Sequence, residues 1–128
     1  MVASSDETVS LAIPMDPEVA FNAISNSRRR RVLLSLSRSH DELAADELAI
    51  EIAAIENATD PSKVSSNDRT TVYIALTQGH LETLDDAGAV DYDDRSKTVT
   101  ATDATEPLAE YIRRLQTACY QPESEETA

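Results

Sequence analysis

The chain has 128 residues, enough for one domain with a single hydrophobic core. Its 24 Asp and Glu residues against 11 Lys and Arg give a formal net charge of -13, and the carboxylates run along the whole chain, which excludes an ordinary domain with an acidic tail. One cysteine, Cys119, excludes an internal disulfide and fits a reducing compartment. No apolar run approaches the roughly 20 residues of a membrane span and no signal peptide is evident, so we expect a cytoplasmic protein that does not enter a membrane.

High net charge with few aromatic residues is typical of disordered chains, but periodic apolar segments argue against disorder for most of this one. A surface adapted to molar salt is the other explanation. At about 1 M salt the Debye length falls to roughly 3 Å, so dense carboxylates no longer repel one another strongly. Only Lys63 and Lys97 are lysine, and this acidic, lysine-poor composition resembles that of cytoplasmic proteins of halophilic archaea.

Apolar residues that recur every three or four positions predict four helices in the first two thirds of the chain, after a flexible arm over residues 1–15. The predicted helices run from Pro17 through Ile24, over about 28–38, over roughly 45–56, and from a Ser65 cap to Gly88. Asp16 and Asn26 are the expected N-caps of the first two, and Gly88 is a natural left-handed C-cap for the fourth.

Two short alternating segments follow, over 89–92 and 97–100, and the polar turn 93–96 between them predicts a β-hairpin. A last helix begins near Thr105. We therefore divide the chain into a domain over 16–102, a C-terminal helix over 103–120, and a disordered acidic tail over 121–128. Four helices, a hairpin and a fifth helix are the order of a winged helix-turn-helix domain, so the predicted fold class is mainly α with a small β-hairpin and a C-terminal dimerisation helix.

Three passages carry a resemblance to a known family. Residues 21–36, with an Asn turn before an Arg-rich helix start, resemble the opening of metal-sensor-type (ArsR-like) archaeal winged-helix repressors. Residues 43–49 resemble the start of their next helix. Residues 81–92, with the pattern Leu-x-x-Leu-x-x-Ala-Gly followed by two apolar residues, resemble the passage from recognition helix into wing. Over about 17–101 the chain is similar to a group of small haloarchaeal winged-helix proteins, which implies a DNA-binding transcriptional regulator.

The only cationic cluster is Arg28 to Arg31, at a helix N-terminus where cations oppose the helix dipole. Either local carboxylates pair with these arginines, or DNA phosphates do. Arg29 lies on the side of the apolar residues and is the expected structural member. Arg28 and Arg31 point away and are the candidate phosphate contacts.

On a straight fourth helix, one strip lies opposite the broad apolar side that includes Val72, Ile74 and Leu76. The strip consists of Asn67, Asp68, Thr71, Ala75, Gln78 and Glu82. Asn and Gln can bind adenine through two hydrogen bonds, and Thr and Ala methyls can contact a thymine methyl. The alternative is an ordinary solvated face, which the two carboxylates favour.

The hairpin turn contains Arg95 and Lys97, which could enter a minor groove, although Asp93 and Asp94 beside them favour a plain polar turn. The predicted DNA-binding residues are Arg28, Arg31, Asn67, Arg69, Thr71, Gln78, Arg95 and Lys97.

No metal site, cofactor or enzyme active site is expected. His40 and His80 are isolated and no Cys or His pair accompanies them, so the ligand count of a metal site is missing. With only Gly79 and Gly88 in the chain, a phosphate-binding glycine loop is excluded.

Double-stranded DNA is the expected partner, and a homodimer is the expected functional unit. The predicted dimer contact is a stripe on the last helix: Leu108, Tyr111, Ile112, Leu115 and Cys119. The alternative is a winged-helix module that binds another protein and no longer binds DNA.

Overall fold

A computed structural model describes residues 12–119 of the chain. It is mainly helical, with one small antiparallel sheet. The elements in chain order are α1 (Pro17–Ile24), α2 (Ser27–Ser39), β1 (Leu43–Ala44), α3 (Ala45–Glu56), a 3-10 turn (Pro61–Lys63), α4 (Ser66–Ala75), a π-helical turn (Leu76–His80), α5 (Leu81–Asp86), β2 (Val90–Asp93), β3 (Thr98–Ala101) and α6 (Thr105–Ala118). Residues 1–11 and the predicted tail, 121–128, lie outside the described part.

The helix starts follow the predicted caps. The Asp16 carboxylate accepts a hydrogen bond from the Glu18 N–H, and Pro17 occupies the first turn, where its missing N–H is not needed. Asn26 accepts from the N–H groups of Arg28 and Arg29, which begins α2. These caps fix the short turn between α1 and α2 that the candidate site is built on.

The sheet has the strand order β1-β3-β2. The predicted hairpin is confirmed, with Tyr92 opposite Val99 and Asp93 opposite Thr98. The sequence did not predict β1, which adds only two residues and pairs Leu43 with Val99. Strand β3 is therefore central, and its buried Val99 joins the sheet to the helical core.

The predicted fourth helix is not straight. It is α4, one π-helical turn and α5, with the Leu81 N–H bonded to the Leu76 carbonyl five residues earlier. Val72 and Leu76 are buried on α4, and Leu81 and Leu84 are buried on α5. Five residues of regular α-helix would rotate Leu81 by about 140° from Leu76. The wider π turn brings both leucines to the core.

One core joins all of the long helices to the sheet. Its largest fully buried side chains are Leu33, Leu36, Leu48, Ile52, Leu76, Leu81, Leu84, Leu108, Ile112, Val32, Val90 and Val99. Ile13 and Met15 pack against this core, so the predicted loose arm is wrong for residues 13 and 15. Within the described residues, no helix is long and apolar enough to cross a membrane.

Helix α6 is an integral part of that core. Leu108 and Ile112 have no exposed surface, so the prediction that they contact a second copy is wrong. Tyr111 and Leu115 each keep 45% of their surface exposed, and Cys119 is exposed at the end of the helix. Only these three of the five predicted dimer residues are accessible on the surface.

Candidate functional site

The arginine cluster lies where the C-terminus of α1 meets the N-terminus of α2. Arg29 donates from Nε to the Ala23 carbonyl at 3.1 Å and from Nη2 to the Asn22 carbonyl at 2.6 Å. Arg30 donates from Nη1 to the Ile24 carbonyl at 2.7 Å. The last carbonyls of a helix lack partners within it, and cations favour that end of its dipole. These two arginines therefore stabilise the end of α1, as was expected for Arg29.

Arg28 pairs with a carboxylate from another helix. Its Nε and Nη2 donate to the two oxygens of Glu56 at 2.7 and 2.9 Å, which links the start of α2 to the end of α3. The guanidinium holds the pKa of the Glu56 carboxyl below its usual range. Arg28 was a candidate phosphate contact, and its pairing with Glu56 instead matches the alternative of internal pairing.

Arg31 is the remaining member of the cluster. Its side chain is half-buried and makes no hydrogen bond or ion pair with any residue between 12 and 119. Two other cations share this property, Lys63 in the 3-10 turn before α4 and Arg95 at the hairpin tip, and both are exposed. Arg29 and Arg30 also have no carboxylate partner, but both donate to carbonyl oxygens. We call the three cations whose side chains have no described partner at all the unneutralised cations.

No Asp or Glu is exposed between residues 61 and 78, although the exposed Asp60 and Glu82 flank this segment and the exposed Asp46 lies near Thr70. The exposed residues between 61 and 78 are Pro61, Ser62, Lys63, Ser65, Ser66, Asn67, Thr70, Thr71, Ile74 and Gln78. We call the five at the end of this series, Asn67, Thr70, Thr71, Ile74 and Gln78, the α4 face. In a chain with 24 carboxylates, this uncharged face is unusual.

The charged residues of α4, Asp68 and Arg69, lie beside this face, and each already interacts with another part of the protein. Arg69 donates from Nη1 to Asp46 at 2.6 Å, so it is paired with the start of α3. Asp68 is half-buried in the first helical turn, where a negative charge is favourable, and its N–H is capped by Ser65. Neither charge is presented at the centre of the α4 face.

The π turn changes which residues share that face. The strip predicted on a straight helix included Glu82, but the extra residue in the turn rotates α5 relative to α4. Ile74, predicted to point inward, is 46% exposed, and Thr70 is exposed as well. Neither residue belonged to the strip predicted on a straight helix. Asn67, Thr71 and Gln78 are exposed as predicted.

The hairpin turn organises its own charges. Asp93 accepts from the N–H groups of Arg95 and Ser96, and Lys97 donates from Nζ to Asp94 at 2.8 Å. Lys97 holds the pKa of the Asp94 carboxyl below its usual range. Of the two predicted DNA contacts at this turn, the side chain of Arg95 has no partner among the described residues, whereas Lys97 is paired with Asp94.

A contact between Arg29 and His80 connects the cluster to the π turn. Arg29 Nη1 lies 3.2 Å from His80 Nδ1. Because a guanidinium only donates, Nδ1 must be an acceptor, which requires the neutral imidazole. Burial and the charges of Arg29 and Arg28 lower the pKa of His80. His80 in its neutral form thus connects the π turn to the junction between α1 and α2.

A separate apolar surface lies between α1 and α6. Phe21, the only phenylalanine, is 70% exposed, and Val19 beside it is 38% exposed. Phe21 and the exposed Tyr111 of α6 share a groove, which is lined by Ile13, Met15, Pro17, Ala20, Phe21, Ile24, Leu108 and Tyr111. The exposed Leu115 lies one helical turn beyond Tyr111 on α6. The predicted dimer contact included the residues of α6 but not those of α1.

No group of three or more His, Cys, Asp or Glu side chains within residues 12–119 is arranged to hold a metal ion. The arrangement offers instead an uncharged helix face, three unneutralised cations and an apolar surface. Such features suit binding to other macromolecules.

A known family matches residues 21–100, from the middle of α1 into β3, which is more than half of the chain. The chain belongs to this family, described as a domain of unknown function (DUF7344). No curated protein and no solved structure matches the chain. The DUF7344 segment contains the arginine cluster, the π turn and the whole α4 face, whereas α6 follows it.

Proposed function

We propose that this DUF7344 protein is a winged helix-turn-helix transcriptional regulator that binds double-stranded DNA as a homodimer in the cytoplasm of a halophilic archaeon. The order of elements from α2 to β3 supports a winged-helix assignment, with α4 as recognition helix and the β2–β3 hairpin as wing. The nine-residue connection between α3 and α4, longer than in a tight helix-turn-helix, contains the 3-10 turn, and Asp60 caps that turn by accepting from the Ser62 N–H.

The α4 face is the observation on which the DNA-binding proposal rests. DNA phosphates repel carboxylates, so a DNA-binding surface on a protein of net charge -13 has to be locally free of them. The exposed residues between 61 and 78 include no carboxylate, and the nearby exposed Asp46 is paired with Arg69. Their amide and hydroxyl groups can also bond to base edges in a major groove.

The unneutralised cations are suited to the phosphate backbone. Lys63 lies three residues before the start of α4, and Arg95 lies at the tip of the proposed wing. Arg31 adds a third charge at the arginine cluster. Phosphate contacts orient a protein on the duplex without selecting a sequence. Three such contacts per protomer leave most of the affinity to the α4 face.

Dimerisation would use the apolar surface between α1 and α6. Phe21 and Tyr111 expose large aromatic side chains beside one apolar groove, and such contiguous apolar surface is typical of interaction sites. A two-fold axis beside α6 would bring Phe21 of one protomer toward the groove of its mate. This revises the predicted contact, because Leu108 and Ile112 are used within each protomer.

Isosteric charge variants test the DNA-binding surface. Binding sites should first be collected by a genome-wide pull-down of DNA with the tagged full-length protein. Asn67→Asp and Gln78→Glu then each add one negative charge to the α4 face with almost no change in shape. We expect either variant to lower affinity for a recovered site about tenfold or more, because like charges placed together at an interface cost several kcal/mol.

Asn22→Asp is the matched control, because it adds the same charge on the exposed surface of α1, away from α4. It should leave affinity within about twofold. If Asn67→Asp and Gln78→Glu bind as well as Asn22→Asp, the α4 face does not contact DNA. Failure to recover any DNA with the unmodified protein would contradict the whole proposal.

The second candidate is a winged-helix module that binds protein alone. The exposed Phe21 favours it, since aromatic side chains are enriched in protein interfaces. Under this alternative, Phe21→Ser would abolish complex formation with the partner, and no variant of the α4 face would have a measurable effect.

A further inference from the structure

The α4 face has the chemistry for one class of base pair. Its amides, on Asn67 and Gln78, can bond to both adenine N6 and N7. Its remaining members, Thr70, Thr71 and Ile74, expose methyl groups, and the 5-methyl of thymine is the apolar feature of the major groove. Both halves of an A·T pair therefore have counterparts on this face.

The Thr71 hydroxyl is partly occupied within the helix. Its Oγ1 donates to the Asn67 carbonyl at 2.9 Å, so its hydrogen is not available to a base. What Thr71 can still offer in a groove is its methyl group and an acceptor lone pair. Its contribution is therefore closer to that of an apolar residue than the residue name implies.

Guanine has no counterpart on the same face. The commonest guanine contact is an Arg or Lys that donates to O6 and N7. Between 61 and 78 the cations are Lys63 and Arg69. Arg69 is paired with Asp46, and Lys63 precedes the helix and is placed for the backbone. The centre of the α4 face offers no cation to a guanine.

Ile74 is the residue that favours this specificity most strongly. It exposes 46% of its surface on a helix whose other exposed members are polar. From Asn67 to Ile74 a helix rises about 10 Å, close to the rise of three base pairs. Ile74 and the amide of Asn67 are therefore spaced to contact base pairs of the same short site.

We infer that the α4 face recognises A·T base pairs in the major groove, with Ile74 against a thymine methyl group and Asn67 on an adenine edge. This inference rests on the proposed DNA-binding function and specifies its substrate class. It also fits an interface with few phosphate contacts, because methyl contacts do not weaken with salt as charge contacts do.

Replacing thymine with deoxyuridine tests the inference, because it removes only the 5-methyl group. Duplexes should be selected from a random pool with the full-length protein in molar KCl, and each thymine of the selected site replaced in turn. We expect affinity to fall about fourfold at the position that Ile74 contacts, since one buried methyl group contributes about 0.8 kcal/mol.

Ile74→Ala should bind the thymine and deoxyuridine duplexes equally at that position, while other positions keep their wild-type response. Ile74→Val is a milder second variant, and because the side chain is half exposed, both should fold, which thermal unfolding checks. A selected site with G·C pairs at its centre, or a deoxyuridine effect that Ile74→Ala leaves unchanged, would overturn the inference while DNA binding stands. Selection that enriches no sequence would instead overturn specific DNA binding itself.

Discussion

The guanidinium of Arg28 donates hydrogen bonds to both carboxylate oxygens of Glu56, at 2.7 and 2.9 Å. This pair joins α2 to α3, although the two residues lie 28 positions apart in the sequence. Arg31, three residues along the same helix, has no partner among the described residues. Two members of one arginine run thus have different roles, one in stability and one available for a ligand.

Arg28→Ala should lower the free energy of unfolding by about 1 kcal/mol at neutral pH, because both ends of the pair keep part of their surface in solvent. Arg31→Ala should change it by less than about 0.5 kcal/mol and instead weaken DNA binding for all sequences alike. Chemical denaturation and fluorescence anisotropy measure the two effects. A loss of stability in Arg31→Ala, with a loss of DNA affinity in Arg28→Ala, would contradict these assigned roles.

Acid should remove this stabilisation. Arg28 lowers the pKa of Glu56 in the folded protein, so the contribution is complete above the usual Glu range, near 4.5, and is lost as the pH falls through the folded pKa. Glu56→Gln should therefore differ from the parent at pH 7 and converge with it at low pH. A constant difference across the range would show that the carboxylate charge contributes nothing.

The positions of the helices could be predicted from local sequence because caps and apolar spacing are local. Helix α3 begins and ends where it was predicted, and Gly88 adopts the expected left-handed conformation. The spacing of two leucines also indicates the π turn. Leu76 and Leu81 are five residues apart, a spacing that a straight helix cannot bury on one side.

The partners of the arginines could not be predicted in the same way. Arg28 and Glu56 meet only because α2 and α3 pack together, and any of 24 carboxylates could have taken that position. The same is true of Arg69, whose partner Asp46 belongs to α3. The composition predicted a surface rich in carboxylates, and only the tertiary structure separates the α4 face from it.

The two glycines should respond to alanine in opposite directions. Gly79, in the π turn, has no atom within 4 Å of an added Cβ and does not have a positive φ, so Gly79→Ala should stabilise the protein by about 0.4–1 kcal/mol. Gly88 has a φ of +80°, so Gly88→Ala should destabilise it by about 1 kcal/mol. Thermal unfolding of both variants decides this. A destabilised Gly79→Ala would mean that the π turn needs glycine for a reason other than space.

The dimer proposal predicts different results for neighbouring residues of α6. Tyr111→Glu with Leu115→Glu should give a folded monomer, because both side chains are exposed. Ile112→Glu should unfold the protein instead, since it places a charge in the core. Light scattering and circular dichroism in high salt separate these outcomes.

Thr117→Glu is the control for added charge on α6, since residue 117 is exposed about 200° around the helix from Leu115. It should remain dimeric. A parent protein that is already monomeric in high salt would rule out the proposed homodimer.

The contact between the neutral His80 and Arg29 leads us to expect a loss of stability in mild acid. The pKa of His80 is lowered in the folded protein by burial and by Arg29 and Arg28, so its contribution is present above the usual His value of 6.5 and is lost as the pH falls through the folded pKa. His80→Gln should remove this part of the pH dependence. His40→Asn, which changes the other, exposed histidine, should keep it. Denaturant melts from pH 7.5 to 5 provide the comparison.

The dependence of DNA affinity on salt follows from the number of unneutralised cations. All 11 Lys and Arg residues lie between 12 and 119, and only Arg31, Lys63 and Arg95 have no described partner. The release of counterions from Z phosphates gives a log–log slope of about -0.9Z, so about three contacts per protomer, six in the proposed dimer, would give a slope of about -5 in dilute salt.

At high salt a second effect opposes this loss of affinity. Between about 0.5 and 2 M KCl the Debye length is only some 2–4 Å, which weakens the repulsion between DNA phosphates and the protein's carboxylates. Contacts of the α4 face, which are uncharged, should then carry the affinity. Anisotropy titrations with a selected site should therefore show affinity that stays nearly constant, or rises, across this range. Arg31→Ala should lower affinity in dilute salt and, because it removes one phosphate contact per protomer, make the dependence on salt less negative. A steep fall in affinity would show that phosphate contacts dominate the interface, and would contradict the proposal that the uncharged contacts of the α4 face carry the affinity.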